Sequence, residues 1–313
     1  MISKDYIYTE FCDVNSHCLE IGALFIYEQD TEDRSVYCKN ALKKNNPSVE
    51  FIGVEEREDD MIDIIKDGVK VDSLNTHSAL TILTFIRIKN PSCVYLDVTG
   101  MSCRVAAPIL KVLLEENIEA RVVYAEPSDY IIDAFKKEGL FNEYSETVDG
   151  IKPLPQFINL VPLDEDNDPV LVTLLGFEGW RFAYVVSDQN LADEQIRPIV
   201  GVPGYKMNYP QISLWGNRNV LIQHHCWNQL EYAEANSIVD IYFKLDDIFN
   251  DNHQSNMYIA PIGTKPHAIG AIVYAIKHPN EVELLYDNPK RTLHRTKGVG
   301  RVSICDVTRL FNA

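Results

Sequence analysis

An internal repeat constrains this chain more than any other feature. Tyr95-Leu-Asp-Val-Thr-Gly100 and Tyr258-Ile-Ala-Pro-Ile-Gly263 are both apolar strand patterns closed by a glycine turn. Each runs into a helical stretch of similar length, MSCRVAAPILKVLLEEN in the first copy and TKPHAIGAIVYAIKHPN in the second. Each then gives a further strand, 121–124 or 284–286, with Pro127 in step with Pro289. Earlier blocks repeat in the same order. Ile52-Gly-Val-Glu55 matches Val200-Gly-Val-Pro203, and FIYEQDTEDR matches LLGFEGWR, setting Glu28 against Glu178 and Arg34 against Arg181. One supersecondary unit built twice is the implied architecture.

Strand–turn–helix units bury their apolar faces by packing helices on a mainly parallel sheet. The expected fold is therefore α/β, with two tandem Rossmann-like units related by internal duplication, divided as 1–150 and 151–313. In the first unit strands are expected at 21–27, 49–54, 93–98 and 120–125, and helices at 34–44, 76–89, 104–117 and 128–138, the last ended by Gly139. The proline-rich, acidic stretch 150–169 reads as the connection, with one short strand at 157–161. In the second unit strands are expected at 170–175, 196–202, 256–261 and 282–286 and helices at 180–187, 230–250 and 266–277. The locally basic tail 291–311 is expected to pack back as a strand or hairpin.

Charge and cysteine usage narrow the function classes. A formal net charge of −17 excludes a large non-specific nucleic-acid surface, which needs a basic face, but leaves room for a local phosphate pocket. Seven cysteines at irregular spacing, without a CxxC, argue against a disulfide framework. The opening MISKDYIYTEFCDVNSH has no apolar leader, and no run of about 18 apolar residues is present, so a cytoplasmic protein without a membrane association is expected.

In open α/β sheets, ligands sit beyond the carboxyl ends of the strands, where turns expose backbone N–H groups and helices present their positive ends. Three such turns carry chemistry here. In Asp97-Val-Thr-Gly-Met-Ser-Cys-Arg104, Gly100 permits a tight turn, Thr99 and Ser102 bring hydroxyls, and Arg104 can fork onto a phosphate. In Pro261-Ile-Gly-Thr-Lys-Pro-His267, Gly263 and Thr264 repeat the design, Lys265 is a point charge, Pro266 suits a first helical turn, and His267 follows. The third, Gly176-Phe-Glu-Gly-Trp-Arg181, offers Glu178 and Arg181. Cations are disfavoured at helix N-termini, so Arg104 and Lys265 hint at an anionic partner. Turn formation alone is the alternative for each glycine. Neither a Walker loop nor a GxGxxG fingerprint is present. His224-His225-Cys226 draws the eye, but neighbours on a regular helix or strand point apart, so no metal site is expected there. The acidic run Glu55–Asp60 reads as a solvated loop rather than a magnesium site.

The strand followed by Asp97-Val-Thr-Gly100, and the second followed by Gly263-Thr-Lys265, resemble the ligand turns of CRISPR-associated Rossmann-fold (CARF) sensor domains. Two such units in one chain are similar to the SAVED domains of antiviral signalling. The resemblance spans about 70 motif-bearing residues, and Met101-Ser102 departs from the Thr-Lys pair of the pattern. It implies a nucleotide sensor or regulatory subunit in a prokaryotic antiviral or stress pathway. The implied ligand is a phosphate-bearing nucleotide such as a cyclic oligonucleotide, and the effector activity would lie on a protein partner. It names no cofactor. Two other classes stay open. One is an enzyme acting on a nucleotide or sugar phosphate, with Asp97 or Glu178 as the acid–base group. The other is a scaffold subunit that docks through the aromatic segment 205–215.

Overall fold

A computed structural model describes residues 7–131, 145–157, 169–252, 256–292 and 294–313. The chain forms two compact units, Met1–Tyr130 with Leu154–Gln156 and Leu293–Ala313, and Ile131–Pro153 with Phe157–Thr292. The expected division at 150 therefore fails at the tail. The long strand Thr296–Asp306 (β15) pairs antiparallel with Ala120–Tyr130 (β7), which makes the C-terminal residues part of the first unit.

The centre of the first unit is parallel. Leu24–Glu28 (β2) lies between Glu50–Glu56 (β3) and Val94–Asp97 (β6), and β6 pairs with β7. These strands are near-continuous apolar runs, as expected when both sheet faces are covered. Antiparallel strands extend both sides: β15 and Thr9–Cys12 (β1) beyond β7, Met61–Lys66 (β4) and Val69–Asn75 (β5) beyond β3. The resulting order is β1-β15-β7-β6-β2-β3-β4-β5. The β4–β5 hairpin turns on Asp67-Gly68, both at positive φ, a pair suited to a two-residue hairpin loop. The acidic run just before it concealed that signal in the sequence. Tyr37–Asn45 (α1), Ala79–Lys89 (α2) and Cys103–Glu115 (α3) are the first unit's helices before β7. Residues 128–130, expected to open a helix, instead continue β7, because β15 offers them a partner as far as Tyr130. Residues 132–138 of that expected helix, with Gly139, lie outside the described residues, as do residues 158–161 of the expected short strand.

The sheet of the second unit is wholly parallel. Val170–Leu175 (β9), Ile196–Gly201 (β10), Glu231–Ala233 (β11), Met257–Ala260 (β12) and Val282–Leu284 (β13) follow the order β11-β10-β9-β12-β13. This is the doubly wound arrangement, whose order reverses between β9 and β12. The helices are Gly179–Gln189 (α4), Tyr209–Gln223 (α5), Ile238–Asp251 (α6) and Lys265–Lys277 (α7). Ser145–Val148 (β8) pairs with Pro289–Arg291 (β14) as a separate ribbon, and Val307–Phe311 (α8) closes the chain. The single helix expected at 230–250 is divided. Residues 231–233 are drawn into the sheet beside β10, and Ser237 then starts α6 by accepting the Asp240 N–H at 3.0 Å. Helix α5 was not anticipated. Its Pro, Gly and Asn residues blur the apolar period.

Four parallel strands share one order in both units, β3-β2-β6-β7 and β10-β9-β12-β13. The ladders also refine the repeat. Asp97 pairs with Tyr27 and its counterpart Ala260 pairs with Thr173, so Glu28 corresponds to Leu174. Glu178, four residues beyond Leu174, therefore matches Glu32 rather than Glu28. Likewise Ile52, opposite Ile26, corresponds to Arg197 and not to Val200. Among the described residues no helix is long and apolar enough to cross a membrane.

Candidate functional site

At the carboxyl end of the first sheet, the predicted ligand residues make contacts within their own unit. Glu28 accepts the Glu56 N–H at 2.8 Å, joining the ends of β2 and β3. Asp97 ends β6 with no exposure at all. Its Oδ1 accepts the Thr99 N–H at 3.0 Å, while Oδ2 has no hydrogen-bond partner among the described residues. Burial raises this carboxyl to about 6, against the pull of the Thr99 hydrogen bonds and the Arg34 charge. The same burial, with Asp97 nearby, pushes the Cys38 thiol well up. Thr99 accepts the Ala125 N–H at 2.9 Å, so its hydroxyl oxygen secures the turn to β7 instead of facing outward.

Gly100 is glycine for a steric reason. A Cβ there would lie 2.2 Å from the Glu28 carbonyl oxygen. Ser102 caps α3 by accepting the Val105 N–H at 3.3 Å. Arg104 pairs with Asp60 and, at 3.7 Å, with Glu56. The acidic run read as a solvated loop thus supplies the anions that the position of Arg104 called for. Sequence spacing could not show this, because the partners lie 44 or more residues earlier.

The second unit repeats the plan with different atoms. Thr264 caps α7, accepting the His267 N–H at 3.4 Å, and donates its hydroxyl to the Ala235 carbonyl at 2.8 Å. Lys265 is the first residue of α7 and is half-buried. Gly263 lets this turn meet the end of β9, since a Cβ would stand 2.8 Å from the Leu174 carbonyl oxygen. His267 is fully buried. Its Nε2 donates to the Glu234 carbonyl at 3.0 Å, and Nδ1 has no partner among the described residues. Burial lowers this imidazole to about 4, so it is neutral at physiological pH.

The third predicted turn is enclosed. Glu178 and Arg181 are both buried, and Glu178 accepts from Arg181 at 3.4 Å and from Ser145 Oγ at 3.2 Å. Arg181 also forks onto Asp287 with two bonds of 2.7 Å and donates to the Ile262 carbonyl at 3.2 Å. Helix α5 covers the turn. Ser213 and Asn217 each donate to the Gly176 carbonyl at 2.8 Å, and Gly179 meets Gly216 with no space for a Cβ on either.

In the first unit Arg34 plays the corresponding part. It is buried, pairs with Glu32 at 2.8 Å, and donates to the Ala125 carbonyl at 2.8 Å. Ala125 and Asp287 occupy the same place in the repeat. Burial opposes the charge on Glu32, but Arg34 and Arg295 together outweigh it and hold the carboxyl below its usual range. Each unit therefore has a buried glutamate–arginine pair, which ties the turn after β2 to β7 in the first unit and the turn after β9 to the residues following β13 in the second. Asp287, Glu32, Ser213 and Asn217 were missed by sequence reasoning. Only the matched arginines signalled them.

One group of acid and thiol ligands also comes together. Ligand atoms of Glu20, Cys93 and Glu119 lie within 4.8 Å of one another. Arg121 already pairs with Glu20, and burial pushes the Cys93 thiol up to about 12, which disfavours the thiolate a metal requires.

No family model and no curated protein matches this sequence. Among solved structures, CobK precorrin-6A reductase is similar at a TM-score of 0.27 and 7% identity, over 86% of this chain and 90% of that one. A likeness at that level carries no argument about what this chain does.

Proposed function

We propose that this chain is a nucleotide-binding sensor or regulatory subunit, with the turn Gly263–His267 of the second unit as its phosphate-binding element. The observation that carries this reading is the position of that turn. It follows β12 beside the strand-order reversal of a wholly parallel sheet, where α7 brings its N-terminus, Thr264 and the Lys265 cation to one place. In the matching turn of the first unit, Arg104 pairs with Asp60 and Glu56. The regulatory role, an antiviral or stress pathway and an effector on a partner chain come from the CARF and SAVED resemblance alone.

The test is thermal stability of the pure protein against mononucleotides, dinucleotides and cyclic oligonucleotides, with and without magnesium. A ligand of the folded state at about 100 times its dissociation constant stabilises by about 2.7 kcal/mol. The expected result is a shift with one class of nucleotide that Lys265→Ala abolishes. No shift with any of them refutes the sensor.

An enzyme acting on a nucleotide or sugar phosphate is the second reading, favoured by one observation. The Asp97 carboxyl, raised to about 6, has the ionisation of a group tuned for proton transfer. Its complete burial counts against that role. Chromatography of ligand incubated with the protein decides, since turnover lost in Asp97→Asn would establish the enzyme.

A further inference from the structure

We propose that the outer face of α2 is where a second copy of this chain docks, about a twofold axis passing beside Thr84. The helix reads ALTILTFIRIK, apolar on every side, yet only Ile82 and Ile86 are buried. A helix of that kind is normally covered all round. Helix α7, KPHAIGAIVYAIK, has the same character and is buried along its length from Pro266 to Ile276. Helix α2 instead leaves Leu80 72% and Ile88 76% exposed.

The uncovered residues form a self-complementary ridge. Leu80, Thr84 and Ile88 are spaced four apart and all exposed, so they follow one row of the helix surface. In an antiparallel pairing about Thr84, Leu80 of each copy meets Ile88 of the other, and the small central threonine lets the helices approach closely. A twofold contact must match a patch to itself, and this row does so without a charged residue in it.

Charge favours this face as the contact. Two molecules of net charge −17 repel, so they meet best where carboxylates are absent or neutralised. Helix α2 contains no Asp or Glu. Its cations are balanced within their own unit, Arg87 by Glu116 at 2.7 Å and Lys89 by Glu50 at 2.9 Å.

The apolar area approaches what a dimer requires. Lys66 of β4 shares Glu50 with Lys89, and it pairs across the hairpin with Val69, which is 63% exposed. Ser92, just past the helix, donates to the carbonyl of Ile21, which is 84% exposed. Val69 and Ile21 thus stand at the Ile88 end of α2. A fully exposed aliphatic side chain presents on the order of 100 Å², so Leu80, Ile88, Val69 and Ile21 offer about 300 Å² per copy. A standard interface takes about 800 Å² from each partner, somewhat more than half of it apolar, so these four supply about two-thirds of the apolar share. Leu83 and Phe85 of the same helix, both half-buried, add to it.

Sedimentation velocity of the full chain between about 1 and 100 µM tests the assignment. The expected result is a monomer–dimer equilibrium within that range, weakened at least about tenfold by Leu80→Glu and by Ile88→Glu. Each substitution enters the contact twice and sets a carboxylate against an apolar side chain. Trp215→Glu, at an exposed position of α5, should dimerise as the parent does. Raising sodium chloride from about 0.05 to 0.5 M should tighten the dimer, because screening weakens the repulsion between acidic molecules while the apolar contact persists. Both positions substituted in α2 are exposed, and unchanged far-ultraviolet circular dichroism separates loss of contact from loss of fold. A chain that stays monomeric up to about 100 µM overturns the proposal. So does a dimer that both α2 variants leave intact, one that only Trp215→Glu removes, or one that salt dissociates.

Discussion

Replacing Asp287 with alanine should destabilise the second unit more than any surface substitution. Arg181 and Asp287 have side-chain exposures of 1% and 0%, and two bonds of 2.7 Å join them. Asp287→Ala leaves a sealed guanidinium with, among the described residues, Glu178 at 3.4 Å and the Ile262 carbonyl at 3.2 Å. Breaking a buried ion pair from one side costs about 3–5 kcal/mol. The remaining Glu178 contact sets the expected loss near the lower end, about 3 kcal/mol. Arg181→Met alone should cost at least as much, because it strands two carboxylates. The double variant Arg181→Met with Asp287→Leu should lose at least about 2 kcal/mol less than the two single losses summed, since the second change removes the charge the first left unpaired. Urea unfolding read by tryptophan fluorescence isolates this unit, because Trp180, Trp215 and Trp227 all belong to it. A loss below about 1 kcal/mol for Asp287→Ala, or additive single effects, would refute the reasoning that this pair locks the turn.

Gly100→Ala should cost the first unit at least about 2 kcal/mol in calorimetry, because the backbone oxygen 2.2 Å from the new methyl cannot turn aside. Asp97→Asn should stabilise the protein. The folded chain holds the Asp97 proton more tightly than the unfolded one, about 6 against 3.8, so wild-type stability falls as pH rises through that window. The difference of about 2 units is worth about 3 kcal/mol, so the gain should be full at pH 7.5 and gone at pH 4. His267 has the opposite sign. Its folded value of about 4 lies below 6.5, so its stabilising share is present above 6.5 and lost as pH falls toward 4. His267→Gln should flatten that part of the acid limb in urea titrations across the same range.

The strands were legible because burial on both sheet faces writes itself as short apolar runs, and 170–175 was read to the residue. Glycine at 100 and 263 was legible as a turn, although its cause is a carbonyl pressed against the Cα rather than a ligand. Legibility ended where partners are distant. Arg104 looked like a cation awaiting a phosphate, and Asp60 answers it. Residues 231–233 looked helical, and an open edge of β10 made them a strand. The adjacent histidines looked divergent, yet with His225 in the left-handed conformation each comes within hydrogen-bond distance of an Asp193 oxygen.

The sequence by itself determined the alternation of strand and helix, the twofold repeat and the turns at the strand ends. Those depend on hydrophobic period and on glycine, which act over a few neighbouring residues. Only the tertiary structure decided which charges neutralise one another, which strand ends are sealed, and which unit the C-terminal strand joins. Pairing of that kind depends on distance in space, which loops and strand order set, and a buried charge takes whatever partner the fold brings within reach.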